Sequence, residues 1–155
     1  MEIKIISTQN ITNSLDSTRE FGSFLLKANA VIHMIHWYVL NYNSHKILGN
    51  LYEDLDELFD TLQEEIIGTT RNNNVNFPKI NFQIPVLELN DVSRFVDNND
   101  EILNIYFEVY KEVTSAITSI EFNNFTTQVK SGIPNTVDEI VSRFNRANYL
   151  LSLVK

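Results

Sequence analysis

The chain has 155 residues, no cysteine, 12 Lys plus Arg and 20 Asp plus Glu, for a formal charge of −8. That excludes a disulfide framework, a thiolate nucleophile and a cysteine-based metal site, and it argues against sequence-independent binding to a DNA backbone. With 43% hydrophobic residues, only 4 Gly and 3 Pro, the composition fits one domain of long helices rather than a disordered chain or many short strands.

Residues 1–13 read as an N-terminal arm, with Glu2 and Lys4 alternating with Ile3 and Ile5 before Ser, Thr and Asn take over. No basic region followed by a long apolar run marks a secretory signal. The most apolar stretch, Ala28 to Leu40, is interrupted by Asn29, His33 and His36 and is too short to span a bilayer. A soluble, intracellular protein without membrane contact is expected.

The first helix is predicted from about Ser14 to Leu40. Phe21, Leu25, Ala28, Ile32, Ile35 and Val39 follow a rhythm of three and four residues. Leu26, Ala30, Met34 and Trp37 widen the apolar arc, so this helix is expected to bury more than one side. Three helices of one bundle cannot cover so wide an arc, and self-association to at least a dimer follows. Asn41 to Ser44 form a polar turn, with Asn43 or Ser44 as the helix cap.

The second helix is predicted from His45 to Ile67, ending at Gly68, with an apolar stripe of Leu48, Leu55, Phe59, Leu62 and Ile66. The short turn makes helices one and two antiparallel neighbours. Residues 69–90 contain Asn72 to Asn74, Pro78 and Pro85, and are expected to lack helix and to cross over the outside of the bundle. The third helix follows the capping cluster Asp97 to Asp100 and carries Ile102, Ile105, Tyr106, Val109, Val113, Ala116, Ile117 and Ile120. Its end is blurred near Glu121 to Asn124, where the helix either stops or restarts through Val129. Gly132 to Pro134 read as a break, and the fourth helix as starting at Asn135 or Thr136. Residues 14–155 are therefore expected to form an all-α four-helix bundle with one long crossover between helices two and three, the ferritin-like connectivity.

All three histidines fall between positions 33 and 45. The short turn brings His36 and His45 together. At 3.6 residues per turn, Tyr52, Asp56, Asp60 and Glu64 lie at about −20°, +20°, +60° and +100° from His45, along the border of the buried stripe. Carboxylates there are costly unless paired or bound to a cation. Imidazole plus carboxylate suits iron, manganese or zinc. Asp60 and Glu64 have a second use open to them, pairing with Lys46, with Arg19 or with a neighbouring subunit.

His36-Trp37, His45, and the pair Asp60 and Glu64 resemble the signature of Dps-type ferritin-like proteins. The run His45 to Gly49 with Tyr52, Asp60, Glu64 and Gly68 is similar to a group of phage-encoded ferritin-like proteins. The resemblance covers roughly residues 14–155, and its specific part is His36 to Gly68. It implies a metal site of His36, His45, Asp60 and Glu64, shared across a two-fold dimer interface and holding iron or another divalent metal, and Asp56 joins this set as a substitute ligand. It also implies a weak ferroxidase activity. The chain departs from the family in three ways. Gly49 stands where a carboxylate ligand is expected, leaving Asp56 as its best substitute. The turn between the two His-bearing segments is about three residues shorter than in Dps, and the basic DNA-holding tail is absent. The lack of a Glu-x-x-His motif argues against a di-iron oxidase of the classical ferritin type. A second reading keeps the bundle as a non-catalytic phage scaffold, a virion component or a factor acting on a host protein. On either reading the protein is expected in the host cytoplasm or the virion.

Overall fold

Four long helices account for the regular structure of a computed structural model that describes residues 8–73, 76–78, 98–122 and 131–154. They are α1 (Thr8–Tyr38), α2 (Tyr42–Asn73), α3 (Asn99–Phe122) and α4 (Ile133–Ser152). No strand occurs among the described residues, and no helix there is long and apolar enough to cross a membrane.

The apolar stripes read from the sequence form the core. Phe21, Leu25, Ile32 and Ile35 of α1 meet Leu48, Leu55, Leu62 and Ile66 of α2, Tyr106, Val109 and Val113 of α3, and Ile140 and Phe144 of α4. Phe77, just beyond α2, is also buried, with its ring 5.4 Å from that of Phe21.

Each helix packs on two others. α1 lies between α2 and α3, and α4 lies between the same two on the opposite side. The directions follow from contacts at the ends. Asn99 at the start of α3 accepts a hydrogen bond through Oδ1 from Leu40 N at 3.0 Å, beside the α1–α2 turn. At the other end, Glu65 of α2 meets Thr136 in the first turn of α4, with Thr136 Oγ1 donating to Oε2 at 2.9 Å. So α2 and α3 run parallel on one diagonal. The crossover that this order requires falls in residues 79–97, outside the described residues.

The helix boundaries differ from the sequence expectation. α1 starts at Thr8, so residues 8–13 of the expected arm belong to the helix, while residues 1–7 lie outside the described residues. Asn and Ser cost only a few tenths of a kcal/mol in a helix interior, and Ile11 and Leu15 continue the apolar rhythm. α2 starts at Tyr42 because Asn41 is the cap: its Oδ1 accepts from Asn43 N at 2.8 Å and Ser44 N at 3.3 Å. Gly68 does not stop α2, which runs on to Asn73 with Thr69 and Thr70 buried against the bundle. Asn98 caps α3, as the cluster of capping residues suggests, accepting from Glu101 N at 3.2 Å. α4 starts at Ile133, not Asn135, since proline is well suited to a first helical turn. The Glu65 carboxylate sits at that N-terminus, where the helix dipole favours negative charge.

The second apolar set of α1 is not buried. Leu26 is 70% and Trp37 59% exposed, and Ala30 is exposed between them. Trp37, expected as a packing anchor, lies on the surface of a single chain.

Tyr106 is fully buried and donates from its hydroxyl to Asn148 Oδ1 at 2.6 Å. Burial, with Tyr110 nearby, holds its phenol far above the ordinary range. The sign of the linkage is fixed. Above about pH 10 the unfolded phenol ionises while the folded one keeps its proton, so stability falls as pH rises. Urea unfolding between pH 8 and 11 should show Tyr106→Phe losing stability less steeply than the native chain, by up to about 1.4 kcal/mol per pH unit. Equal slopes would refute this.

Candidate metal centre

The reversal from α1 into α2 takes only Val39 to Asn41. It places His36, late in α1, against His45, early in α2. The two rings stack with centroids 3.9 Å apart and planes 24° apart. His36 Nδ1 lies 2.8 Å from the carbonyl oxygen of His45, and His45 Nδ1 lies 2.8 Å from that of His36. A carbonyl only accepts, so each Nδ1 carries the hydrogen and donates. In a neutral ring that leaves Nε2 as a bare lone pair.

Gly49, one turn after His45, makes this packing feasible. A Cβ there would sit 2.8 Å from His36 Cε1 and 3.1 Å from His36 Nδ1. The position that the resemblance assigns to a carboxylate ligand is thus filled by the imidazole of His36.

Aromatic rings extend the cluster along α1. His33 is half-buried, stacked on Tyr52 at 3.9 Å and 13°, with the Trp37 ring tilted against it at 4.7 Å. Tyr52 also lies 5.4 Å from His36. These stacks were not legible in the sequence, which placed Tyr52 at the border of the buried stripe of α2 and Trp37 in the apolar arc of α1.

The carboxylates stand apart from the imidazoles. At a rise of about 1.5 Å per residue, Asp60 lies about 22 Å along α2 from His45, and Asp56 about 16 Å. Asp56 therefore groups with Asp60 and does not replace the carboxylate missing at Gly49. Asp56, Asp60 and Glu64 are exposed, which corrects their expected place at a buried border. Among the described residues none of them forms an ion pair with Lys46 or Arg19, and Arg19 pairs with Asp16 at 3.4 Å. Asp56 and Asp60 line a cavity of about 550 Å³ on the α1–α2 face, together with Arg19, Leu26, Asn29 and Gln63. Among the described residues, no three His, Asp or Glu side chains converge within one chain.

A second close approach locks the far end of the α1–α2 pair. Gln63 Nε2 donates to Thr18 O at 2.7 Å, and a Cβ on Gly22 would lie 2.8 Å from that nitrogen. Between the two locks, Asn29 Nδ2 donates to Tyr52 O at 3.2 Å. Isolated glycines inside both helices were the available signal, since such a glycine costs about 1 kcal/mol unless packing needs it.

The chain is similar to an uncharacterised 14.6 kDa protein of Enterobacteria phage T4, encoded in the mobD–ri intergenic region. The two are 26% identical over 135 residues, which cover 86% of this chain and 87% of the relative. No family model and no solved structure matches.

Proposed function

We propose that this is a Dps-related, ferritin-like protein that binds a divalent metal between two copies of the chain. One observation carries the reading: the reciprocal Nδ1–H bonds to backbone carbonyls leave both Nε2 lone pairs of a stacked histidine pair free. Ligating histidines are typically anchored in this way through the other ring nitrogen. His36 and His45 of one copy would hold the ion, with Asp60, Glu64 and Asp56 of the second copy supplying charge. An imidazole–carboxylate donor set suits iron, and Fe(II) held there as substrate would give one electron per ion to a dissolved oxidant, dioxygen or peroxide, in a weak ferroxidase activity.

The parallel α2 and α3, diagonal across the bundle, support ferritin-like connectivity. The uncovered Leu26, Ala30 and Trp37 support a two-fold contact through α1 and α2, which would bring the separated halves together. On this reading the protein works in the host cytoplasm and has no need of DNA or a membrane. Gly49 favours the second reading, a non-catalytic phage scaffold in a virion or on a host protein. There the histidine pair is only a clasp between two helices.

Anaerobic calorimetry with Fe(II) and with Zn(II) separates the two. The native chain should bind, more weakly as pH falls, because protons compete for Nε2. His45→Ala should reduce affinity at least about a hundredfold, comparable with the loss of a metal ligand or its support. Equal binding by both proteins, or binding by neither, would leave the scaffold reading in its place.

A further inference from the structure

A groove of about 860 Å³ separates α2 from α4, on a face of the bundle that the histidine pair does not use. Its floor is apolar: Leu51 and Ala147 are buried, and Ile47 and Leu150 are half-buried beside them. Cations stand on both walls, Lys46 on α2 and Arg143 and Arg146 on α4, and the α2 wall also carries the carboxylates Glu53 and Asp54. Arg143 closes one end, with NH1 3.4 Å from Asp54 across the groove and NH2 3.2 Å from Glu139. Lys46 and Arg146 form no ion pair among the described residues, although the chain carries a net charge of −8. The other end, at Asn43, Leu153 and Val154, is open, with Leu153 58% exposed.

We infer that this groove binds a single-chain anionic amphiphile, a free long-chain carboxylate. The volume lies in the range of sites for one small ligand. From Asn43 to Asp54 the wall runs about 17 Å, enough for an alkyl chain of dodecyl length. The Arg143–Asp54 bridge stops a longer rod such as a partner helix from lying through. With Asp54 held by Arg143, the two cations Lys46 and Arg146 on opposite walls outnumber the one remaining carboxylate, Glu53, and select a negative head group over a positive one. The amide groups of Asn43 and Asn50 on the rim add hydrogen-bonding capacity.

Dodecanoate below its micelle concentration is the probe, with dodecyltrimethylammonium as the same tail carrying the opposite charge. Calorimetry should show one dodecanoate per chain and at least tenfold weaker binding of the cationic amphiphile. Methyl resonances of Ile47, Leu51 and Leu150 should shift. The double variant Lys46→Glu, Arg146→Glu changes two exposed side chains, so far-UV circular dichroism should be unaltered while dodecanoate affinity falls at least tenfold. Equal affinity for the two amphiphiles, or an unchanged affinity in the double variant, would overturn the proposal. So would binding to vesicles of anionic phospholipid without binding to monomeric dodecanoate.

Discussion

Replacing Leu26 and Trp37 together with Glu is expected to leave the protein monomeric, where the native chain is expected to sediment as at least a dimer. Leu26 is 70% and Trp37 59% exposed, and both lie on the face of α1 that continues through Ala30 and His33. Positions 26, 30, 33 and 37 repeat at four, three and four residues, the spacing of a seam that meets a partner helix. A two-fold contact counts each change twice, so four large side chains leave the interface. At about 1.5–3 kcal/mol for each buried side chain, the dimer should weaken by well over a thousandfold. Sedimentation equilibrium at micromolar concentration measures this directly. The metal site gives a second reading. Leu26 and Trp37 are not ligands, and His36 and His45 keep their mutual hydrogen bonds within the chain. If the carboxylates come from the second copy, metal binding should nevertheless fall with the dimer. A native chain that sediments as a monomer, or a monomeric variant that binds metal as tightly as the native chain, would refute the shared site.

The same face shows where sequence reading stops. A three-and-four rhythm marks which residues of a helix are apolar, and the buried set from Phe21 to Val39 was legible on that basis. It does not say whether the covering surface lies in the same chain. Leu26 and Trp37 read as part of the apolar arc, and the width of that arc, not its rhythm, pointed to a cover outside the chain's own bundle; both are surface in one chain. The meeting of His36 and His45 was legible because a short turn leaves two antiparallel helices little choice. Their hydrogen-bond pattern was not, because it depends on backbone carbonyls that no residue code specifies.

Helix ends were the least legible. Gly68 reads as a stop, yet a helical glycine costs only about 1 kcal/mol relative to alanine. Burial of Ile66, Thr69 and Thr70 offsets that cost and carries α2 to Asn73. Pro134 reads as a break, yet α4 starts one residue before it. At Gly68 packing of the bundle overrides a local preference, whereas Pro134 in the first turn of α4 follows one, and the cap at Asn41 wins over Asn43 and Ser44 because the turn is tighter than the sequence suggests.

Gly49 and Gly68 lie on the same helix, and alanine at the two positions should have opposite effects. At Gly68 an added Cβ meets nothing within 4 Å, so Gly68→Ala should stabilise by up to about 1 kcal/mol through helix propensity. At Gly49 the propensity gain is the same, but the methyl would lie 2.8 Å from His36 Cε1. That ring cannot swing aside freely, since it is stacked on His45 and bonded through Nδ1 to the His45 carbonyl. Overpacking of this kind costs about 1–3 kcal/mol, enough to exceed the gain. Gly49→Ala should thus be net destabilising in urea unfolding, and His36→Ala made together with it should recover part of the loss. That recovery is the mark of a direct steric contact between the two positions. Gly49→Asp carries the argument to the metal site. It would place a carboxylate where the resemblance to Dps-type proteins expects a ligand, but in the space that His36 occupies. Fe(II) affinity should therefore fall rather than rise. A tighter site in Gly49→Asp would show that His36 yields its place without loss, and that the clasp between α1 and α2 is not what Gly49 serves.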